Sequence, residues 1–351
     1  MFHRRLRTRA LGAERLLYRI GLGSRAVVDT SFDLECARFG EAARSLEMQP
    51  PLFVCGLARA GTTILTRTLY ESNAFASSTY RDLPFPLAPN VWRQLSRSFR
   101  RADVRAERGH GDGMIHDLDS PEAIEEVFWR HFCGSAYIKD THLVPHEPSK
   151  EVLKKYTQFM RLVALAYGQS RYLAKNNNTL LRLPALLDAY KGAVAIIPFR
   201  SPVAQAASLL HQHKRAIGVH QSDPFRGKFM QWLGHYEFGS NHRPFVFESG
   251  AAPLDASGID HWVDLWTKAY QHLSKMAARY AGRMILVDYD QLCRDAASLR
   301  RLCDKVGCPD DHITEQTLTV QAERSLPSPQ RDILIRAETL HSELQNLTLG
   351  Q

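Results

Sequence analysis

Two short stretches combine the residue types that hold anions. The first is Gly56-Leu57-Ala58-Arg59-Ala60-Gly61-Thr62-Thr63, with two glycines, one arginine and two hydroxyls. The second is Arg200-Ser201-Pro202, with Ser208 eight residues after the arginine. A guanidinium presents a planar fork of donors that matches phosphate or sulfonate oxygens. Gly56 and Gly61 have the five-residue offset of a nucleotide-binding P-loop, but Thr62 stands where that motif has its lysine. A reading as an ATP or GTP hydrolase therefore lacks its key charge, and Arg59 is the cation on offer. An arginine at a strand end and a serine two turns into the next helix can converge on one phosphate.

These residues need particular elements around them. Residues 52–55 are a short apolar run of the kind a buried parallel strand shows, and Leu65 and Leu69 lie four apart on one helical face. The glycine-bearing stretch is thus a strand-to-helix turn, which aims backbone N–H groups and a helix dipole at one spot. Residues 193–199 form the most β-like run, and a helix follows from 203 to 213. Further strands are expected at 77–80, 136–138, 171–175 and 284–289. Helices are expected from Ser31 onward, after Ser120-Pro121-Glu122, and over 150–167, 180–190, 260–280 and 299–306. Residues 93–113 read as a basic loop and 215–258 as loop-rich. Strands alternating with helices predict an α/β fold, a P-loop-like doubly wound parallel sheet with helical and loop-rich insertions.

A length of 351 residues, 44% hydrophobic and 23% charged, suits a soluble globular chain. Its net charge of +8 favours an anionic partner. No zinc-finger spacing or aromatic RNA-binding motif is present, so no nucleic acid is expected. The six cysteines are scattered without metal-ligand spacing, and neither a metal nor disulfides are expected. No apolar run reaches about 18 residues, and no secretory signal is read. Residues 1–26 carry seven arginines against one acid, Glu14. They suit a helix docked on the body or a peripheral helix facing anionic lipid.

With both anion motifs in order, the chain resembles the sulfotransferases that use 3′-phosphoadenosine 5′-phosphosulfate (PAPS). Residues 56–63 are similar to that family's 5′-phosphosulfate loop and residues 196–208 to its 3′-phosphate motif; residues 286–292 resemble its late strand segment. Arginine within the loop brings the chain closer to the branch of protein-tyrosine and many bacterial sulfotransferases. The resemblance implies that Arg59, Ala60, Gly61, Thr62 and Thr63 hold the 5′-phosphosulfate, and Arg200 and Ser208 the 3′-phosphate. It also implies that Lys175 stabilises the transferring group and that Asp82, the acid after the loop helix, is the general base. His110, His116, His142 and His146 are the rival bases. Ala60 and Ser201 depart from the serine and aspartate common in relatives.

The implied organisation is a basic helical segment over 1–48, the sulfotransferase domain over 49–310 and a C-terminal tail over 311–351 packing on the domain. Acceptor-side insertions are expected near 84–150 and 215–258. The implied reaction moves a sulfuryl group from PAPS to an acceptor hydroxyl of a glycan, lipid or small molecule, leaving the 3′,5′-bisphosphate PAP, without metal. The expected location is the cytoplasm, with the N-terminus as a candidate contact with the inner membrane surface. The competing readings are a nucleotide-dependent kinase and a non-catalytic anion or membrane-surface binder.

Overall fold

The computed structural model describes residues 2–97, 106–107, 115–116, 121–248, 254–314, 318 and 327–348. Two helices, α1 (Phe2–Gly23) and α2 (Arg25–Arg44), precede the first strand, β1 (Gln49–Val54). Ser24, whose hydroxyl accepts from Val27 N, starts α2, so the helix expected from Ser31 begins a full two turns earlier. Next come α3 (Thr62–Glu71) and α4 (Pro89–Ser96). A small antiparallel pair, β2 (Ala106–Glu107) and β3 (Ile115–His116), leads to α5 (Glu126–Tyr137) and α6 (Lys150–Tyr167). After β4 (Arg171–Lys175) the chain forms α7 (Leu183–Ala189), β5 (Val194–Phe199), α8 (Pro202–Ser222) and α9 (Pro224–Leu233). It closes with α10 (Ile259–Ala277), β6 (Met284–Asp288), α11 (Tyr289–Leu292), α12 (Ala296–Val306) and α13 (Arg331–Asn346).

Among the described residues the main sheet runs in the order β4-β1-β5-β6, every pairing parallel. It is the P-loop-like doubly wound arrangement that alternating strands and helices predict. Helices cover both faces, so the strands read as continuous apolar runs rather than alternating ones; β4 and β6 are buried at every position. Val54 pairs with both Lys175 and Ile196, and Phe199 pairs with Asp288, so the four strands end near one level. Their C-terminal ends open into one crevice, where ligands bind in open α/β sheets.

Four local expectations give way to tertiary structure. Residues 77–80 do not form a strand: Thr79 caps the 3-10 turn Tyr80–Asp82, whose Asp82 carboxylate reaches back to Thr79 N. The chain therefore leaves β4 after one bridge, Ala76 to Tyr172. Ala136 and Tyr137 belong to the last turn of α5, and Ile138 N donates to Gly134 O. There the helical spacing of Phe128, Trp129, Cys133 and Tyr137 in the core outweighs local β propensity. Arg93 lies on α4 rather than in a loop, and residues 98–105 and 108–113 of that expected loop fall outside the described set. The loop-rich 215–258 stretch contains the end of α8 and all of α9. Asp223 caps α9 with Pro224 in its first turn, and Gly234 at φ +79° ends it.

α13, in the expected tail, packs against α10 and α8 and buries Ala337 and Leu344. No helix among the described residues is long and apolar enough to cross a membrane.

Candidate active site

The loop after β1 departs sharply from ordinary backbone. Arg59 sits at φ +66°, in the left-handed region that non-glycine residues rarely occupy. Gly61, at φ +87°, precedes α3 without a side chain to cap it. A Cβ there would lie 2.3 Å from the Tyr289 ring, so only glycine fits between the loop and the start of α11. The turn thus aims the first-turn backbone N–H groups of α3 at one spot, with Thr62 and Thr63 beside it, an arrangement suited to an anion.

The second anion motif meets the first. Arg59 Nε donates to Ser208 Oγ at 3.0 Å, joining residues 149 positions apart. Arg200, at the end of β5, is held by Asp290 through Nε at 2.9 Å, and its guanidinium lies 5.9 Å from the Tyr289 ring centre. The late segment at 286–292 therefore supports both motifs, with Tyr289 against Gly61 and Asp290 against Arg200.

Gln205 was missed in the sequence. It is fully buried and ties the two loops together. Its Nε2 donates to Ala58 O at 3.0 Å, while its Oε1 accepts from Trp266 Nε1 at 3.0 Å and from Arg200 N at 3.3 Å. Its only sequence signal is a polar residue set between Ala204 and Ala206.

A cavity of about 410 Å³ opens beside these loops, and Arg59, Thr62, Thr63 and Lys175 line it. Such a volume suits a small-molecule site. Lys175, the last residue of β4, faces Glu122 across 3.2 Å, and both side chains are largely buried, at 8% and 6% exposure. A network beneath this pair holds the strand end in place. Asn176 Nδ2 donates to Glu125 at 3.1 Å and to Glu126 at 2.7 Å, and Arg182 grips both Glu126 oxygens at 3.0 Å. Burial pushes the Glu125 carboxyl up. Burial would do the same to Glu126, but the Arg182 guanidinium outweighs it and holds that carboxyl down.

Asp82 is not brought to the cavity. Its carboxylate is fully buried and accepts from Thr79 N at 2.9 Å and from the Tyr167 hydroxyl at 3.0 and 2.9 Å. Burial pushes it up to about 6. Both carboxyl oxygens are engaged by the capping box and the tyrosine, and the residue does not line the cavity. Two acids line the cavity, Glu122 and Glu237; Glu237 accepts from Asn177 Nδ2 at 3.1 Å, and Glu122 is the one that faces Lys175. In the sequence it reads as a first-turn helix acid, and no spacing links it to Lys175, 53 residues on.

Two of the rival histidines are also elsewhere. His142 pairs with Thr141 Oγ1 at 3.0 Å, and His146 stacks on Tyr137 with burial pulling it down to about 3. His110 and the side chain of His116 lie outside the described residues. The histidines that do line the cavity are His220 and His235; His235 Nε2 lies 3.0 Å from Ala123 O.

This geometry agrees with an independent comparison. A model of the sulfotransferase family matches residues 50–312. The chain belongs to the sulfotransferase family. No curated protein sequence is significantly similar to it. Among solved structures, sulfotransferase STF1 of Mycobacterium tuberculosis is similar, with a TM-score of 0.53 and 14% identity over 93% of this chain and 84% of that one. Sulfotransferase STF9 of Mycobacterium avium gives a TM-score of 0.48 and 13% identity over 93% and 75% of the two chains. A sulfotransferase of Alicyclobacillus acidocaldarius gives 0.45 and 14% over 86% and 97%. At such identities the STF1 likeness shows a shared fold. The family match ends at 312, just past α12, and α1, α2 and α13 lie outside it.

Proposed function

We propose that this sulfotransferase-family protein moves a sulfuryl group from PAPS to an acceptor hydroxyl. The observation that carries the reading is the contact between Arg59 and Ser208, which draws both anion motifs to one place beside the Lys175–Glu122 pair. The residues fit a cosubstrate phosphorylated at both ends. Arg59, Gly61, Thr62, Thr63 and the Ala60 backbone would hold the 5′ end, and Arg200 and Ser208 the 3′-phosphate. PAPS supplies an activated sulfuryl group on a good leaving group.

The protein's part is positioning and charge, as in phosphoryl transfer. Arg59, Lys175 and the N-terminus of α3 offset negative charge as it grows on the leaving oxygen and the sulfonate. Glu122 takes the proton of the acceptor hydroxyl, in place of Asp82. The Glu122 carboxylate lies 3.2 Å from Lys175 Nζ, which sets it beside the group proposed to stabilise the transfer. Asn176, anchored by Glu125 and Glu126, fixes where Lys175 points.

The cavity wall away from the loop includes Ile124, Phe229, Met230, Leu233 and Phe238. Such a wall favours an alcohol carried on an apolar body over a glycan. The test is transfer of labelled sulfate from PAPS to a panel of lipid, steroid-like, phenolic and sugar alcohols, with PAP affinity measured by calorimetry. Transfer from PAPS with PAP binding supports the reading; phosphoryl transfer from ATP instead would overturn it.

A further inference from the structure

α1 is fastened along one side and uncovered along another. On the fastened side Tyr18 meets Phe229 of α9 edge-on at 5.1 Å, and Arg15 donates to Asp223 at 2.6 Å. Leu22 is fully buried, and its carbonyl accepts from Arg130. Away from that side, Leu16, Leu17 and Ile20 are 57%, 38% and 44% exposed. They make up three of the eight exposed large hydrophobic side chains among the described residues, gathered within little more than one turn. Isolated exposed leucines need no explanation, but a cluster does.

The charge of the segment selects what covers this face. Residues 1–26 hold seven arginines and one acid, a net of 7 − 1 = +6, which is most of the chain's +8. Arg19, within the same turn, is exposed. A second copy of the chain would set +6 against +6. An anionic bilayer offers an apolar layer for the leucines and negative headgroups for the arginines, the pairing of signals that stable peripheral binding requires.

We propose that α1 lies in the interface of an anionic lipid bilayer, with Leu16, Leu17 and Ile20 entering the acyl boundary. Phe229, which α1 packs against, also lines the transfer cavity, so docking brings that cavity beside the membrane. The proposal needs no assumption about the reaction, and its readout is binding.

The test is flotation of the full chain with vesicles of phosphatidylcholine alone and with about one-third phosphatidylglycerol. The wild type is compared with Arg19→Gln and with the triple variant Leu16→Ser/Leu17→Ser/Ile20→Ser. Binding to the anionic vesicles only is expected. Arg19→Gln should weaken it about fivefold, the change that about 1 kcal/mol per arginine at a charged surface corresponds to. The triple variant should weaken it about tenfold or more. Both variants should keep the wild-type melting temperature and PAP affinity, because these side chains are exposed. No vesicle binding, equal binding to neutral vesicles, or binding that the triple variant retains would overturn the proposal. So would a dimer in light scattering that the triple variant abolishes without any vesicle binding.

Discussion

Replacing Glu122 by Gln tests the assignment of the base most directly. The carboxylate lies 3.2 Å from Lys175 Nζ, with both groups almost out of solvent. Gln keeps the shape and one acceptor but cannot take a proton. Loss of a general base costs about 10²–10⁴-fold in rate, so kcat should fall into that range. Breaking a buried pair by removing one partner costs about 3–5 kcal/mol. The retained amide oxygen puts the variant near the lower end, a fall in melting temperature of several degrees. Cosubstrate affinity should hold or tighten, because a negative charge beside the sulfonate site is gone and Lys175 is released toward it. Single-turnover transfer, PAP calorimetry and thermal unfolding measure the three effects separately. The paired control is Asp82→Asn, which should keep kcat within a few-fold. If Asp82→Asn abolishes transfer while Glu122→Gln stays within tenfold of wild type, the assignment fails and the base is Asp82.

Arg59→Ala should weaken PAP binding about 10–100-fold, the worth of one or two charge-assisted hydrogen bonds. Ser208→Ala should weaken it only about fivefold by calorimetry; equal effects would contradict the geometry. Gly61→Ala, facing Tyr289 at 2.3 Å and at φ +87°, should abolish PAP binding, and wild-type affinity would mean the loop is not so confined. Asp82 predicts a pH dependence. The folded chain keeps this carboxyl protonated up to about 6, whereas the ordinary value is 3.8, so its contribution is fully present below 3.8 and lost as pH rises through about 6. That interval is worth about 3 kcal/mol, and Asp82→Asn should flatten this limb in denaturant midpoints taken from pH 4 to 7. An unchanged slope would show that Asp82 does not titrate there.

The two loops proposed to hold anions were legible as strand-to-helix turns because their information is local. Strand, glycine turn and helix start follow one another within residues 52–69, and Arg200 and Ser208 lie within one strand-to-helix unit. Buried strands and amphipathic helices also announce themselves by period, which is why β1, β4, β5, β6, α6, α10 and α12 were anticipated. Where capping side chains or the core decided the outcome, local propensity misled. Thr79 and Asp82 turned an apparent strand into a 3-10 turn, and Asp223 with Pro224 built α9 inside an apparent loop.

By itself, then, the amino-acid sequence determined the sheet, the glycine-bearing strand-to-helix turn and the placement of Arg200 and Ser208 on one strand-to-helix unit, because backbone geometry and periodicity over a few residues suffice for them. Tertiary structure alone decided which acid meets Lys175. Ion pairing inside a protein depends on proximity and desolvation, and neither is written in the 52 residues between Glu122 and Lys175. It likewise decided that Asp82 is consumed by its own cap and that Gln205 bridges the two loops. Both facts depend on which polar groups are left to be satisfied once the helices have packed.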